Sequence, residues 1–219
     1  MSRSMAAGAH RADGGRDAPG ARCALRRLAA GAVVLAAVAM QAAGAPAQGV
    51  TGTPRAWAIE AATSEVAFDF VLEGKPDGGV FRAFAGEGTF DPARPGEALL
   101  SITIESGSVD FGSAVVNAFA TSAEGFDSRT YPDIVYRLTA LTPTGGDGYL
   151  AQGNVTIKGR TEALSTPITL SITDEAARAE GRFEVDRTHF GLGVGPFASL
   201  LDLEPMVGVH FVLNARPVR

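Results

Sequence analysis

The alternation of hydrophobic and polar positions is clearest in residues 149–173, where two alternating stretches flank a polar link at 158–161. A period of two is typical of a strand with one buried and one solvent-facing side, and a polar link that contains glycine is typical of a hairpin. We place Pro167 at the start of the second strand, where its missing N–H costs least, so that residues 160–166 form a long turn. The segment therefore predicts an antiparallel β-hairpin.

The same alternation recurs along the chain on both sides of this hairpin. It predicts further strands at residues 65–73, 80–90, 100–105, 134–138, 181–186 and 207–213. Within the second of these, Gly86 and Gly88 are expected to mark a bend or a β-bulge.

Two segments have no period of two. Residues 106–133 are interpreted as a long excursion that carries one helix, because Val115, Val116 and Phe119 can share one helical face. Residues 188–205 are interpreted as a loop rich in Gly and Leu.

About eight strands, short turns and a single helix predict an all-β fold, either an antiparallel barrel or a sandwich. An eight-stranded barrel encloses a space that side chains fill or that holds one small ligand. The residues alone leave both outcomes open.

Composition excludes some functions. The chain has 219 residues and a formal net charge of −5, so it has no basic field to hold nucleic acid. Its only cysteine is Cys23, which excludes an intrachain disulfide framework and a cysteine-based metal site.

Residues 1–47 have the composition of an export signal. A basic stretch that includes Arg26 and Arg27 precedes an apolar run at 28–40, and an Ala-Pro-Ala sequence at 45–47 resembles a cleavage site. The apolar run is shorter than the roughly 20 residues that span a bilayer, so an uncleaved anchor is the less favoured alternative.

We therefore divide the chain into a signal peptide (1–47), a flexible lead-in (48–56) and a barrel (57–219). Cleavage after Ala47 would leave a chain without cysteine. Such a chain suits the periplasm, where thiols are oxidised, and the periplasm is the predicted location.

Short motifs are spread along nearly all of the predicted barrel. They lie at residues 57–60 (WAIE), 64–68 (SEVAF), 84–92 (FAGEGTFDP), 126–134 (FDSRTYPDI), 153–159 (GNVTIKG) and 186–193 (DRTHFGLG). In this order and spacing they resemble the YceI family, the polyisoprenoid-binding or lipid-binding YceI-like domains.

The resemblance implies an eight-stranded, antiparallel, lipocalin-like barrel with one short helix in a long loop. An isoprenoid lipid or quinone, with a polyprenyl or ubiquinone-type chain, would lie in an elongated cavity of an exported bacterial protein. No catalytic role and no catalytic cofactor are implied. This role is compatible with transient contact with the inner membrane or a membrane redox protein, and with a homodimer.

The residues expected to bind the lipid fall into three groups. Aromatic residues in mostly inward phases are expected to line the cavity: Phe68, Phe70, Phe84, Phe90, Tyr136, Phe183 and Phe211. Aromatic residues of the helix-bearing excursion and the Gly-rich loop are expected at a lid and mouth: Phe119, Phe126 and Phe190. Polar residues near aromatics are expected to touch an oxygenated head: Asn117, Arg129 and His189, with Arg187 as a further candidate.

Two alternatives compete with lipid binding. The same aromatics could form a packed barrel that acts through its surface as a partner-binding or stress-related module. His189 follows Asp186 by three residues, which would suit an esterase-like enzyme, but no Gly-x-Ser-x-Gly motif supports a nucleophile. Distant histidines and the absence of cysteine after residue 23 argue against zinc.

Overall fold

The structure is a computed structural model that describes residues 54–218. The predicted signal peptide at 1–47 lies outside the described residues, and so does most of the lead-in. Within the part that is described, no helix is both long and apolar enough to cross a bilayer.

The described chain is built almost entirely of strands, as the alternating pattern predicts. The elements are β1 Arg55–Ile59, β2 Glu65–Leu72, β3 Lys75–Phe81, β4 Phe84–Phe90, β5 Leu99–Glu105, β6 Val109–Asp110, α1 Ala114–Thr121, β7 Asp133–Gly145, β8 Gly148–Ile157, β9 Arg160–Ile172, β10 Ala177–Asp186 and β11 Met206–Pro217. Short 3₁₀ turns occupy several of the connections.

The strands close into a barrel of eight antiparallel members. Three of these eight each consist of two consecutive strands joined by a bend: β1 with β2, β3 with β4, and β5 with β6. The other five are the single strands β7 to β11. The last strand, β11, pairs with β2 along part of its length and with β1 at Pro217 and Trp57. The N–H of Val218 also donates to the carbonyl of Ala56 at 2.9 Å. The predicted fold class, including one short helix in a long loop, is confirmed.

The connections sort to two ends of this barrel. The long ones, residues 111–132 with α1 and residues 187–205, lie at what we call the helix end. Residues 91–98, 146–147 and 173–176 lie at the opposite, turn end.

The β8–β9 hairpin differs from its prediction. Its turn consists only of Lys158 and Gly159, whose φ angles are 49° and 73°. Left-handed backbone at both positions is typical of a two-residue type I′ turn, which matches the twist of the flanking strands. Because β9 begins at Arg160, Pro167 lies inside the strand rather than at its start. The prediction of a long turn at 160–166 is wrong.

Strand β4 has no bulge at Gly86 or Gly88, because its pairing with β5 has no register shift. A Cβ atom at Gly88 would clash with the Leu99 carbonyl oxygen, so glycine there permits the close approach of the two strands. The bend lies instead at residues 82–83, between β3 and β4.

Candidate ligand-binding cavities in the barrel

Two cavities lie inside the barrel. The turn-end cavity has a volume of about 110 Å³. Its wall includes Trp57, Phe90, Leu99, Leu141, Ile172 and Ala215. The central cavity has a volume of about 120 Å³. Its wall includes Ile102, Tyr136, Val155, Thr166, Phe183 and Phe211.

The two cavities adjoin along the barrel axis. Leu100, Leu138 and Leu213 belong to both walls. Leu99, in the wall of the turn-end cavity, is 64% exposed, so this cavity reaches solvent. A ligand that enters at the turn end would therefore reach the central cavity by passing these three leucines.

Both walls are apolar. Neither contains a side chain of Asp, Glu, Lys, Arg or His among the residues described. An ion buried without a partner in such surroundings costs on the order of several kcal/mol, so the cavities suit an uncharged, apolar molecule.

A few polar atoms interrupt the walls. The Oγ1 atom of Thr166 and the Nε1 atom of Trp57 are buried and have no hydrogen-bond partner within residues 54–218. The Tyr136 hydroxyl lies over Gly153, where a Cβ atom would approach it to 2.6 Å. Its phenol is protonated at neutral pH even at the ordinary pKa of 10.0, and burial raises the pKa of Tyr136 further, to about 12. The cavities thus offer hydrogen-bonding groups without charge.

The barrel wall is incompletely paired beside the central cavity. The β9–β10 pairing runs from Ile172 with Ala177 to Ile168 with Gly181 and stops there. We call the facing unpaired stretches, β9 residues 161–167 and β10 residues 182–186, the seam. Leu164 and Thr166 on one side and Phe183 on the other line the central cavity, so the cavity adjoins the seam.

Pro167 accounts for the end of this pairing. The tight hairpin turn directs the backbone of even-numbered β9 residues at β8, and the N–H of Leu170 accordingly donates to the Asp147 carbonyl at 2.8 Å. Odd-numbered residues face β10, where Pro167 has no N–H to donate. Beyond the seam, the Arg160 guanidinium donates to the His189 carbonyl at 3.1 Å and links the two sides again.

Aromatic side chains fill the helix end. The Phe68 and Phe111 rings meet edge to face at 5.2 Å, and the Phe81 and Phe126 rings do so at 5.6 Å. Phe190 is 1% exposed and packs against wall residues of the central cavity. The mouth expected between the helix-bearing excursion and the Gly-rich loop is therefore closed by these rings.

Comparison with known proteins identifies the family. The family model described as the YceI-like domain matches residues 57–215, which is most of the chain. The chain belongs to the YceI-like domain family. The resemblance found in the sequence motifs is confirmed.

Relatives of this YceI-like chain include proteins named only as UPF0312. One from Azotobacter vinelandii is 29% identical over 86 residues, which cover 39% of this chain and 45% of that protein. One from Pseudomonas fluorescens is 27% identical over 138 residues, which cover 57% of this chain and 70% of that protein. The match thus spans less than half of the first relative.

Solved structures share the fold of this YceI-like chain. BcnA of Burkholderia cenocepacia has a TM-score of 0.67 and 28% identity, covering 71% of this chain and 98% of that one. A polyisoprenoid binding domain from Saccharophagus degradans, implicated in plant cell wall breakdown, has a TM-score of 0.62 and 16% identity, covering 75% and 99%. The second likeness shows the fold alone.

In this YceI-like barrel, only some of the residues predicted to line the cavity lie in a cavity wall. Phe90, Tyr136, Phe183 and Phe211 lie in the cavity walls. Phe84 packs in the core beside Ile102 and Leu213, which are wall residues.

The remaining predicted aromatics lie towards the helix end. Phe68, Phe70 and Phe126 belong to its aromatic packing, and Phe190 is buried beside them. The Phe119 ring meets Phe197 of the 187–205 loop at 5.4 Å. Contact of all these residues with a ligand stays a prediction.

The polar residues predicted to touch a lipid head also lie at the helix end, where several have structural partners. Asn117 accepts a hydrogen bond from the Phe111 N–H at 2.8 Å and donates to Asp110. His189 Nε2 is 3.8 Å from Asp186, whose Oδ1 atom accepts hydrogen bonds from Thr188. None of the residues Asn117, Arg129 and His189 belongs to either cavity wall.

Arg187 organises the loop that follows it. Its guanidinium donates to the carbonyls of Leu192 and Gly193 at 2.7 and 2.9 Å and to those of Leu203 and Glu204 at 2.5 and 2.9 Å. Burial lowers its pKa. Because its donors are directed at backbone carbonyls, it is unsuited to bind a lipid head in this arrangement.

Sequence reasoning missed two wall residues with unpartnered polar atoms. Trp57 shares the phase of Ile59, and Thr166 shares the phase of Ile168, so the period of two predicts that both side chains point inward. The prediction of a turn at residues 160–166 does not give Thr166 an inward direction, whereas the strand that is present does. No group of three or more His, Cys, Asp or Glu side chains in residues 54–218 is placed to hold a metal ion.

Proposed function

We propose that this protein binds an isoprenoid lipid inside its barrel and carries it, without catalysing a reaction. The observation that carries the proposal is the pair of adjoining apolar cavities, whose walls contain no charged side chain. The Saccharophagus degradans neighbour, described as a polyisoprenoid binding domain, gives support by analogy. A polyprenyl or ubiquinone-type chain is the ligand class proposed.

Cavity size limits how much of the lipid is enclosed. An engineered apolar cavity of about 150 Å³ binds one benzene molecule, so the two cavities here accommodate roughly ten carbon atoms. Burial of that many carbons is worth about 8 kcal/mol gross at 0.8 kcal/mol per methylene. A long polyprenyl chain must extend through the open turn end or displace wall side chains.

The proposed location is the periplasm, on the basis of the export-signal composition of residues 1–47. A lipid carrier there must exchange its ligand with a membrane, so transient contact with the inner membrane or with a membrane redox protein forms part of the proposal. A homodimer is a further prediction.

The absence of a catalytic role is also part of the proposal. Asp186 accepts hydrogen bonds from the N–H and hydroxyl of Thr188, as an N-cap of a 3₁₀ turn. His189 is 60% exposed at this turn, away from both cavities. The Asp186–His189 pair therefore has a structural explanation.

The test is native mass spectrometry of the full chain expressed in an exporting bacterium and recovered from its periplasmic fraction. Organic extraction of the same sample would identify any adduct, and the intact mass would report cleavage and oligomeric state. A stoichiometric adduct of isoprenoid mass is expected. A ligand-free mass that stays unchanged after incubation with polyprenol or quinone vesicles would contradict the proposal and favour a barrel that acts through its surface.

A further inference from the structure

The next inference rests on the proposed function and concerns which lipids the barrel selects. We propose that the Tyr136 hydroxyl donates a hydrogen bond to one uncharged oxygen of the ligand, a hydroxyl or a carbonyl, within the central cavity. Thr166 supplies a second hydroxyl for the same oxygen. The selected ligand is then an apolar chain with a neutral oxygen function inside the barrel, rather than a pure hydrocarbon or a chain whose charged head is enclosed.

The position of Tyr136 supports this role. It lies on β7 between Ile102 of β5 and Val155 of β8, both buried wall residues of the central cavity. The ring extends over Gly153, because a Cβ atom there would meet the Tyr136 hydroxyl at 2.6 Å and its ring at 2.7 Å. The glycine thus leaves room for the phenol to reach across β8 towards β9.

No hydrogen bond joins the Tyr136 hydroxyl to a protein atom among the residues described. A hydroxyl that is removed from water without a replacement hydrogen bond costs roughly 1–3 kcal/mol in proteins. A ligand oxygen would satisfy it. A tyrosine phenol is protonated throughout the physiological pH range, so it can act as the donor.

Thr166 lies on the same wall. Gly153 pairs with Leu164 on β9, and Thr166 is the next inward-facing residue along that strand. Thr166 is 3% exposed and its hydroxyl lacks a partner among the residues described. Two unpartnered hydroxyls, one on β7 and one on β9 with β8 between them, therefore belong to the wall of an otherwise apolar cavity.

The choice of a neutral oxygen follows from the missing charges. A phosphate or carboxylate next to Tyr136 would have no cationic side chain in either wall. One or two hydroxyl donors do not compensate the loss of water around an anion. Arg187, whose guanidinium donates to backbone carbonyls at the helix end, is directed elsewhere.

The experiment compares geraniol with 2,6-dimethylocta-2,6-diene, the same carbon skeleton without the hydroxyl. Trp57 is the only tryptophan and lies in the turn-end wall, so its fluorescence reports filling of the barrel. Wild type is expected to bind the alcohol about 5–10-fold more tightly than the hydrocarbon, the ratio for one additional hydrogen bond. Tyr136→Phe should lower the ratio of alcohol affinity to hydrocarbon affinity, because phenylalanine keeps the ring and lacks the hydroxyl.

The matched control is Tyr149→Phe, which removes a hydroxyl on β8 that is in neither cavity wall and should keep the preference. Thr166→Val should lower alcohol affinity by a smaller factor, about 2–5-fold. Equal affinities of wild type for alcohol and hydrocarbon would overturn the inference while leaving lipid binding intact, and this comparison needs no folded variant. If wild type binds neither probe nor any longer polyprenol, the proposed function itself fails.

Discussion

Enlarging a small residue of the central cavity should block the ligand without unfolding the barrel. Ala151 lies on β8, is buried and belongs to the wall of this cavity. Ala151→Leu adds three carbons to a space of about 120 Å³. The added burial is worth about 2.4 kcal/mol at 0.8 kcal/mol per carbon, and overpacking opposes it by about 1–3 kcal/mol. We therefore expect stability to change little.

Ligand binding should respond more strongly than stability. A leucine at 151 displaces about three ligand carbons, so affinity should fall by about 2.4 kcal/mol, or roughly 50-fold. The assay is titration of Trp57 fluorescence with geraniol or farnesol, with thermal unfolding measured in parallel.

The matched control is Ala163→Leu, the same chemical change on the exposed face of β9. It should leave affinity unchanged. If Ala151→Leu folds and binds as tightly as wild type, the central cavity does not hold the ligand, and the reasoning from cavity volume is refuted.

Three further predictions concern stability and dynamics. Arg187→Ala should lower the free energy of unfolding by about 2–3 kcal/mol, because it removes hydrogen bonds to four loop carbonyls, three of them partly buried. A loss below 1 kcal/mol in urea unfolding would contradict this. As pH rises from 10 to 12, wild type should lose more stability than Tyr136→Phe, because the folded state retains a phenol proton that the unfolded chain releases near pH 10.0; parallel curves would refute it. In hydrogen exchange measured by NMR, the amides of Ala163 and Ser165 should exchange faster than those of Thr169 and Ser171, which face the paired part of β10; equal protection would mean that the seam is closed.

Much of the barrel could be predicted from the sequence because strand alternation is a local property. The period of two in β9 and β10 indicated which residues face inward, since successive side chains of a strand point to opposite faces. The excursion between β6 and β7 lost this period, and α1 lies there. The long turn predicted at residues 160–166 is the local feature that is wrong. It rests on the preference of proline for the start of a strand, whereas a two-residue turn that contains glycine is the stronger hairpin signal.

The candidate site was less accessible to such reasoning. Aromatic residues in the same inward phase have different surroundings, because Phe183 reaches a cavity wall whereas Phe68 stacks with Phe111 at the helix end. Phase determines the side of the sheet, but the height of a residue in the barrel and its neighbours across the lumen depend on register and on closure. Charged residues near aromatics suggested a binding site for a lipid head, and Arg187 instead holds loop carbonyls.

Local alternation thus predicts the inward and outward faces and the succession of strands along the chain, and the short motifs indicate the family. Whether the interior is full or partly empty depends instead on which side chains meet across the closed sheet. Ala151 and Ala179 leave space, and phenylalanines fill the helix end. The closed barrel also placed Pro167 on the β10-facing edge, where a missing donor ends a ladder, and laid the Tyr136 ring over Gly153. These are contacts between strands, so no local pattern records them.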